Sequence, residues 1–340
     1  MKLTWQRRHL HLHHPFNIAS RQLSSNVDKE VLLVRIEHGG YVGWGEAAPT
    51  WYCGQSMESA EGVFAQVRAM LGEDPYALDT ILDTVWRTFS DQSAAVAAID
   101  GALHDLVGKL RNMPVWKRLG LDSSKVPLTS MTIGIDDLDT IAQKVQEAQD
   151  YPILKVKVGT EWDEEVLKIV RREAPDKVLR VDANGGFRSD DVLERCRRLA
   201  EYKVELIEQP TAAGDDEVLP AIRAEQIAPL IADESCRVLE EVEDCVGIFD
   251  GINIKLSKCG GIRQGLKMIQ AARSAGLKVM LGCMVETSVG IAAAAQLAPL
   301  ADYIDLDGHL LLADDPFEGI GGCGGRLTLT DRPGIGVRDR

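Results

Sequence analysis

From about Val126 onward the chain repeats one pattern, a short apolar run that stops abruptly at charge. KVKVG carries Lys155 and Lys157, VDANGG ends on Asp182 with Asn184, LIEQP on Glu208, and IADES on Asp233 with Glu234. The spacings from Asp182 to Glu208 and from Glu208 to Asp233 are 26 and 25 residues. A strand, a turn, a helix and a return consume about that much chain, so the pattern predicts repeated βα units. Candidate strands fall at 129–134, 153–158, 178–182, 204–208, 229–233, 251–255, 278–282 and 302–306, with amphipathic helices between them such as 164–174 and 261–276. Eight strands in this rhythm point to an α/β fold with a closed, TIM-like barrel, and no GxGxxG follows the first strand to suggest a dinucleotide fold.

Upstream the period is different. Residues 2–13 alternate as a strand, and 30–37 and 41–47 read as a hairpin about His38-Gly39-Gly40. Residues 14–28 and 47–56 read as connecting loops, the first containing Arg21. From Ser59 to about Ser123 the period is helical, with Ile99, Leu103, Leu106 and Leu110 forming an apolar stripe. After Pro316 a Gly-rich stretch leads to RLTLTD (326–331), which reads as a strand folding back onto the N-terminal layer. The expected organisation is an α+β cap over 1–125, a barrel over 126–315 and a return to the cap over 316–340.

Composition narrows the field. With 340 residues, 45% of them hydrophobic, the chain is long enough for a barrel plus an accessory layer. A net charge of −14 argues against nucleic acid and anionic membranes as partners. Seven scattered cysteines without a CxxC pair argue against a disulfide frame or a structural zinc and favour a reducing compartment. The N-terminus lacks an apolar signal core and no eighteen-residue apolar run occurs, so a soluble, cytoplasmic protein is expected.

The chemistry follows from where barrel strands end. All C-terminal strand ends open on one face, so Asp182, Glu208 and Asp233 stand side by side there. Three bare carboxylates that close repel, and a hard divalent cation bound by oxygen relieves them, which reads as a magnesium site. Lys155 and Lys157, two apart on a strand, point the same way. They are either solvated strand-end lysines or a pair in which repulsion and an apolar wall lower one pKa enough to make a general base. Lys255 is either an ion-pair partner of the carboxylates or a second base opposite the first, with Lys258 behind it. Asp305 and Asp307, also two apart, should meet a cation, either a lysine of the protein or an ammonium on the substrate. Glu286 falls just after the seventh strand, near Lys255 or the metal. GIGGCG (319–324) follows no strand, the alternating His9, His11 and His13 read as edge-strand histidines, and Cys259 and Cys283 have no histidine at useful spacing.

Together these residues resemble the enolase superfamily, in its muconate-lactonising subgroup, and within that the dipeptide epimerases, over nearly the whole chain. The resemblance implies a (β/α)7β barrel under an N-terminal capping domain. It implies Asp182, Glu208 and Asp233 as ligands of one Mg2+ per subunit, with Asn184, Glu234, Lys258 and Glu286 around them. It implies Lys157 and Lys255 as the two acid/base lysines and Lys155 as the electrostatic neighbour of Lys157. Asp305 and Asp307 match the DxD that holds a dipeptide's α-ammonium, Thr132 lies in a TIGI run like that of the epimerases, and Arg21 falls where Glu-specific members carry an arginine. The implied activity is Mg-dependent epimerisation of an L-Ala-D/L-Xaa dipeptide, L-Ala-D/L-Glu among the candidates, by two-base 1,1-proton transfer through an enediolate. Residues 16–25 and 47–57 would close over the substrate. The alternative is a cycloisomerase or dehydratase of the same superfamily, of muconate or o-succinylbenzoate type. A homo-oligomer is expected from the general habit of soluble enzymes alone.

Overall fold

The computed structural model describes residues 1–19 and 28–340; Arg21 lies outside them. The N-terminal layer is an antiparallel sheet of β1 (Lys2–His11), β2 (Asp28–His38) and β3 (Tyr41–Ala47), in that order, backed by α1 (Met57–Val67), α2 (Leu78–Phe89) and α3 (Ser93–Leu110). Alternation along β2 sorts its side chains. Leu32, Val34 and Ile36 join the core formed with the cap helices, whereas Leu33 joins the barrel core and Val31 a small cluster at the barrel mouth. His9 and His11 stand on the outer face of β1 beside Glu30 and Asp314, at 3.1 and 2.7 Å.

The stripe through Ile99, Leu103 and Leu106 accounts for only one side of α3. The helix is buried all round from Ser93 to Gly108 because the cap sheet and the barrel press on it from different directions. The sheet comes that near because β3 has Gly43 and Gly45: a Cβ there would stand 2.0 and 1.9 Å from the carbonyl oxygens of Ala102 and Ala98. Either Gly→Ala change would push sheet and helix apart.

After the short α4 (Val115–Arg118) come eight parallel strands: β4 (Met131–Ile133), β5 (Ile153–Lys157), β6 (Val178–Asp182), β7 (Val204–Glu208), β8 (Leu230–Ala232), β9 (Gly251–Lys255), β10 (Lys278–Gly282) and β11 (Tyr303–Asp305). A bridge from Thr129 to Ile304 closes the sheet into a barrel, supported by Leu306 N donating to Thr129 Oγ1 at 2.7 Å. The α/β class and the parallel barrel are as expected. Outward positions such as Val156, Val181, Ile207, Ile252, Val279 and Ile304 build the main core against the surrounding helices. Inward positions begin at the bottom with Leu206, Ile231 and Met280 and become polar towards the mouth. The helices are α5 (Leu138–Glu147), α6 (Asp163–Glu173), α7 (Val192–Glu201), α8 (Leu219–Ala224), α9 (Leu256–Cys259), α10 (Ile262–Ser274) and α11 (Ser288–Ala295). No described helix is long and apolar enough to cross a membrane.

Two expectations change. The β8-to-β9 crossover contains two 3-10 turns in place of a helix, at Leu239–Glu241 and Glu243–Cys245. There Glu241 accepts from the backbone N–H groups of Arg237 and Val238, which locks a tight turn where an α-helix would begin. Residues 326–331 are not a strand. Their backbone contacts are scattered, with Thr328 N donating to Ile320 O and Thr330 O accepting from the Trp116 indole, while Leu327 lies against the barrel core. The alternation that reads as a strand reflects an extended tether with one buried side. A two-residue pairing of β12 (Phe317–Glu318) with β13 (Arg338–Asp339) ends the chain.

Buried acids join the layers. Asp100 of α3 accepts from the Ile262 and Arg263 amides at the start of α10, at 2.7 and 3.3 Å. Asp105 accepts from Trp44 N and Ile335 N at 2.8 and 2.9 Å. Glu46, the penultimate residue of β3, accepts from Thr287 N at 2.9 Å and Gly290 N at 3.0 Å at the start of α11. Burial, and then the neighbouring Glu286, raise the Glu46 carboxyl from its usual 4.5 to about 8. Native protein therefore keeps a proton that the unfolded chain gives up between pH ~4.5 and ~8, so this group's contribution is full below the lower value and falls as pH rises through the window. Glu46→Gln removes that slope. The melting temperature of the variant relative to the parent should rise from pH 5 to 8.5, by at most about 1.4 kcal/mol of stability per pH unit; a constant gap would refute the buried proton.

Candidate active site

The carboxylates and lysines read from the sequence come together at the barrel mouth. Strand register puts Lys157 beside Asp182 and Asp182 beside Glu208, and Asp233 directly follows β8. Asp182, Glu208 and Asp233 are fully buried, and each offers an oxygen within 4.8 Å of the others. Among the described residues this is the group of acids able to hold a metal ion. Oxygen-only donors suit a hard divalent cation. Three nearby buried oxygens strengthen the fit, because Asn184 Oδ1, Glu234 Oε2 and Glu208 Oε2 have no hydrogen-bond partner. Glu208 Oε2 does lie 2.8 Å from Lys155 Nζ, within ion-pair distance but off the hydrogen-bond direction. Asn184 holds its place through Asp182, whose Oδ1 accepts from Asn184 N at 2.8 Å, and it carries a left-handed φ of 44° that the turn after β6 requires.

The lysines flank this row. Lys157 Nζ is 2.6 Å from Asp182 Oδ2 on one side, and Lys255 Nζ is 2.9 Å from Asp233 Oδ2 on the other. Lys258 reaches Asp233 from behind, donating to its backbone oxygen at 2.6 Å and to its carboxylate. Lys155 is 1% exposed and sits among three acids, with Nζ at 2.6 Å from Asp305, 2.8 Å from Glu208 and 3.0 Å from Asp182. Of the Lys155–Lys157 pair, Lys155 is therefore not a lysine with a lowered pKa. Burial works against the charged Lys155, but Asp305, Glu208 and Asp182 outweigh it and raise the pKa well above the usual lysine value. Lys255 is raised in the same way, burial opposing and Asp233 prevailing. Burial would lift Asp182, yet Lys157 and Lys155 hold it at about 2.

Asp305 and Asp307 part company. Asp305 accepts from Ser130 Oγ and Lys155 Nζ, both at 2.6 Å, so the protein supplies its cation. Asp307 lies beyond the end of β11 and accepts from Thr132 N at 2.6 Å; burial and then Asp305 lift its carboxyl to about 7. Both acids, with Thr132, line a cavity of about 420 Å³ between barrel and cap. Lys155, Lys157, Lys255, Asn184 and Glu234 line its floor, and Phe16, Trp51 and Tyr52 stand on the cap side. Glu286 is not with the metal-holding acids: it accepts from Ser257 Oγ at 2.7 Å and faces Glu46.

Two amides escaped the sequence reading. Asn253 Nδ2 donates to Glu208 Oε1 at 2.8 Å from inside the barrel. Gln209 Oε1 accepts from Asp233 N at 2.8 Å and Ser235 N at 3.1 Å, which ties the turns after β7 and β8 together. A polar amide within INIK and another after the acid of LIEQP were the available signals.

Comparison with known proteins agrees with this geometry. Residues 137–338 match the family described as Enolase C-terminal domain-like, and residues 2–120 the Mandelate racemase / muconate lactonizing enzyme, N-terminal domain. The L-Ala-D/L-Glu epimerase of Bacteroides thetaiotaomicron is 40% identical over 99% of this chain and 88% of its own. The L-Ala-D/L-amino acid epimerase of Pedosphaera parvula is 38% identical over 100% of this chain and 99% of its own. The crystal structure of a dipeptide epimerase from Enterococcus faecalis, complexed with Mg and L-Leu-L-Tyr, superposes with a TM-score of 0.91 at 32% identity, covering 99% of this chain and 98% of that one. With its barrel, its cap and its charged mouth all accounted for, the chain belongs to the mandelate racemase/muconate lactonising branch of the enolase superfamily, among the dipeptide epimerases.

Proposed function

We propose that this protein epimerises L-Ala-D/L-Xaa dipeptides at the α-carbon of the second residue by a two-base 1,1-proton transfer, with one Mg2+ held by Asp182, Glu208 and Asp233. The observation that carries this reading is the placement of Lys157 and Lys255 on opposite flanks of the three acids. When bound, the cation would supply positive charge beside the substrate carboxylate, where charge builds as the α-proton leaves. Lys157 takes the proton on one face of the α-carbon, Lys255 returns one on the other, and the reverse reaction exchanges their roles. Lys155 balances the charge of Asp182 and Glu208, Lys258 fixes Asp233, and Asn253 fixes Glu208. Asn184 and Glu234 orient the groups around the metal position, and Glu286 holds Ser257 behind Lys255. Thr132 positions Asp307 for the α-ammonium of the first residue, with Asp305 beside it held by Lys155, and Arg21 is a contact for an acidic second side chain. In this reading 1–125 and 316–340 form the cap, 126–315 the barrel, and 47–57 covers the substrate and excludes water. Seven cysteines, all free thiols, suit a reducing cytoplasm.

In deuterated buffer with magnesium, a substrate dipeptide should acquire solvent deuterium at the second α-carbon together with inversion, monitored by NMR. Inversion without exchange would eliminate the mechanism. Asp307→Ala should raise KM for free dipeptides roughly 10- to 100-fold, the value of one charge-assisted contact, and leave N-acetylated dipeptides within a few-fold of the parent. Equal losses on both would remove the ammonium role.

A further inference from the structure

The backbone behind each of the two opposed lysines is held in a different way. Lys255 is the last residue of β9 and leads straight into α9, a helix of one turn. A helix that short has no stability of its own, so its geometry is set by what packs on it. Part of that packing comes from the cap. Ser93 Oγ, at the start of α3, donates to Ser257 O at 2.9 Å. Gly260 and Gly261 follow the turn with φ of 91° and 108°, and a Cβ on them would run into Trp86 of α2 and Asp100 of α3 respectively. From the barrel side, Glu286 accepts from Ser257 Oγ at 2.7 Å and Lys258 reaches Asp233. The turn after Lys157 is closed by the barrel's own α6, with Gly159 N and Thr160 N donating to Asp163 at 3.0 and 2.9 Å.

Ser93 has a second partner, in the segment that covers the cavity. Its oxygen accepts from Gln55 Nε2 at 2.9 Å, and Gln55 Oε1 accepts from Ala94 N at 3.1 Å, which settles the way the amide faces. Gln55 lies three residues after Tyr52, and Tyr52 lines the same cavity as Lys255. Gln55, Ser93 and Ser257 are all buried. A hydroxyl has a single hydrogen, and that of Ser93 goes to Ser257 O, so the chain of donors runs from Gln55 through Ser93 to the turn behind Lys255. Resting on the function proposed above, we propose that Ser93 is a positioning residue that ties the covering segment 47–57 to the turn carrying Lys255, and so sets the reach of that base and not of Lys157. Seating of the cover over a dipeptide is thereby passed to one face of the α-carbon. Without the hydroxyl, Ser257 O and Gln55 Nε2 are both left unpaired in a buried place, and the one-turn helix shifts to relieve them.

The test follows initial deuterium uptake by the full-length enzyme with Mg2+, separately from L-Ala-L-Glu and L-Ala-D-Glu, or from the L-Ala-L/D-Leu pair where the glutamyl pair is not turned over. The epimer served by Lys255 is the one that Lys157→Ala still exchanges. Ser93→Ala should slow uptake from that epimer roughly 5- to 50-fold, the range for one buried hydrogen bond left unmade, and leave the other epimer within a few-fold of the parent. Gln55→Glu keeps the oxygen that faces Ala94 N but gives Ser93 a carboxylate in place of a donor, drawing its hydrogen away from Ser257 O. It should move the ratio of the two rates in the same direction. Because the readout is a ratio from one sample, partial misfolding of a variant cancels. Equal loss on both epimers, loss on the Lys157 epimer, or an unchanged ratio overturns the role of Ser93 and leaves the epimerase standing. A ratio that Ser93→Ala moves and Gln55→Glu does not overturns the link to the covering segment. A parent that exchanges neither pair of dipeptides sinks the proposed function, and the assignment of Ser93 with it.

Discussion

Lys157→Ala and Lys255→Ala should each abolish epimerisation, by at least about 10³-fold, while each variant still exchanges the α-proton of one epimer with solvent, the opposite epimer in the two cases. A base on one face deprotonates the epimer that presents its hydrogen there, and needs its counterpart only to complete inversion. A purely structural role for either lysine would depress exchange from both epimers together. The scaffold should survive both changes, because each carboxylate has a second lysine: Asp182 keeps Lys155 at 3.0 Å, and Asp233 keeps Lys258. No buried acid is stranded, which is the usual reason such substitutions unfold a protein. If either variant turns over near the parental rate, or both lose exchange on the same epimer, the opposed-lysine account is wrong.

Metal removal is the second large effect. Chelation should take activity to background and added Mg2+ should restore it. Saturating Mg2+ should also raise the melting temperature, since a ligand at 100 times its Kd stabilises by about 2.7 kcal/mol. Glu208→Gln should lose both responses. Glu208 is the informative member of the trio, because Asn253 can still donate to an amide oxygen in its place and Lys155 remains engaged with Asp305 and Asp182. A chelated enzyme that works at the parental rate, or a Glu208→Gln protein whose melting still rises with Mg2+, would remove the metal site.

The strands and the charged residues at their ends were legible because a closed parallel barrel imposes two simple constraints. Its strands are buried on both sides and so appear as apolar runs, and its functional groups must occur where those runs end, at intervals of one βα unit. That places Asp182, Glu208, Asp233, Lys157 and Lys255 without knowledge of any contact. What stayed hidden depends on neighbours remote in sequence. The periodicity of α3 shows one apolar side, yet two layers separated by more than 150 residues bury the rest. Lys155 reads as half of a repelling pair until Asp305, Glu208 and Asp182 arrive around it from other strands. RLTLTD alternates as a strand does, but alternation records one buried side and says nothing about whether a partner strand exists. Gln209 and Asn253 were marked only by an amide within or just after an apolar run, a weak signal, since their roles are to hold turns and acids contributed by other units.

The acids that cross from cap to barrel have a further consequence. Glu46 and Asp100 accept from the amides that start two barrel helices, so cap and barrel are anchored to each other at two buried points, one from the cap sheet and one from α3. Hinge-like opening of the whole cap would expose two helix ends and two buried carboxyls at once, so substrate entry should proceed by local rearrangement of the rim. Residues 16–18, 28–30 and 48–52 are then at liberty to vary, and new substrate preferences can arise there while the proton-transfer machinery beneath stays untouched.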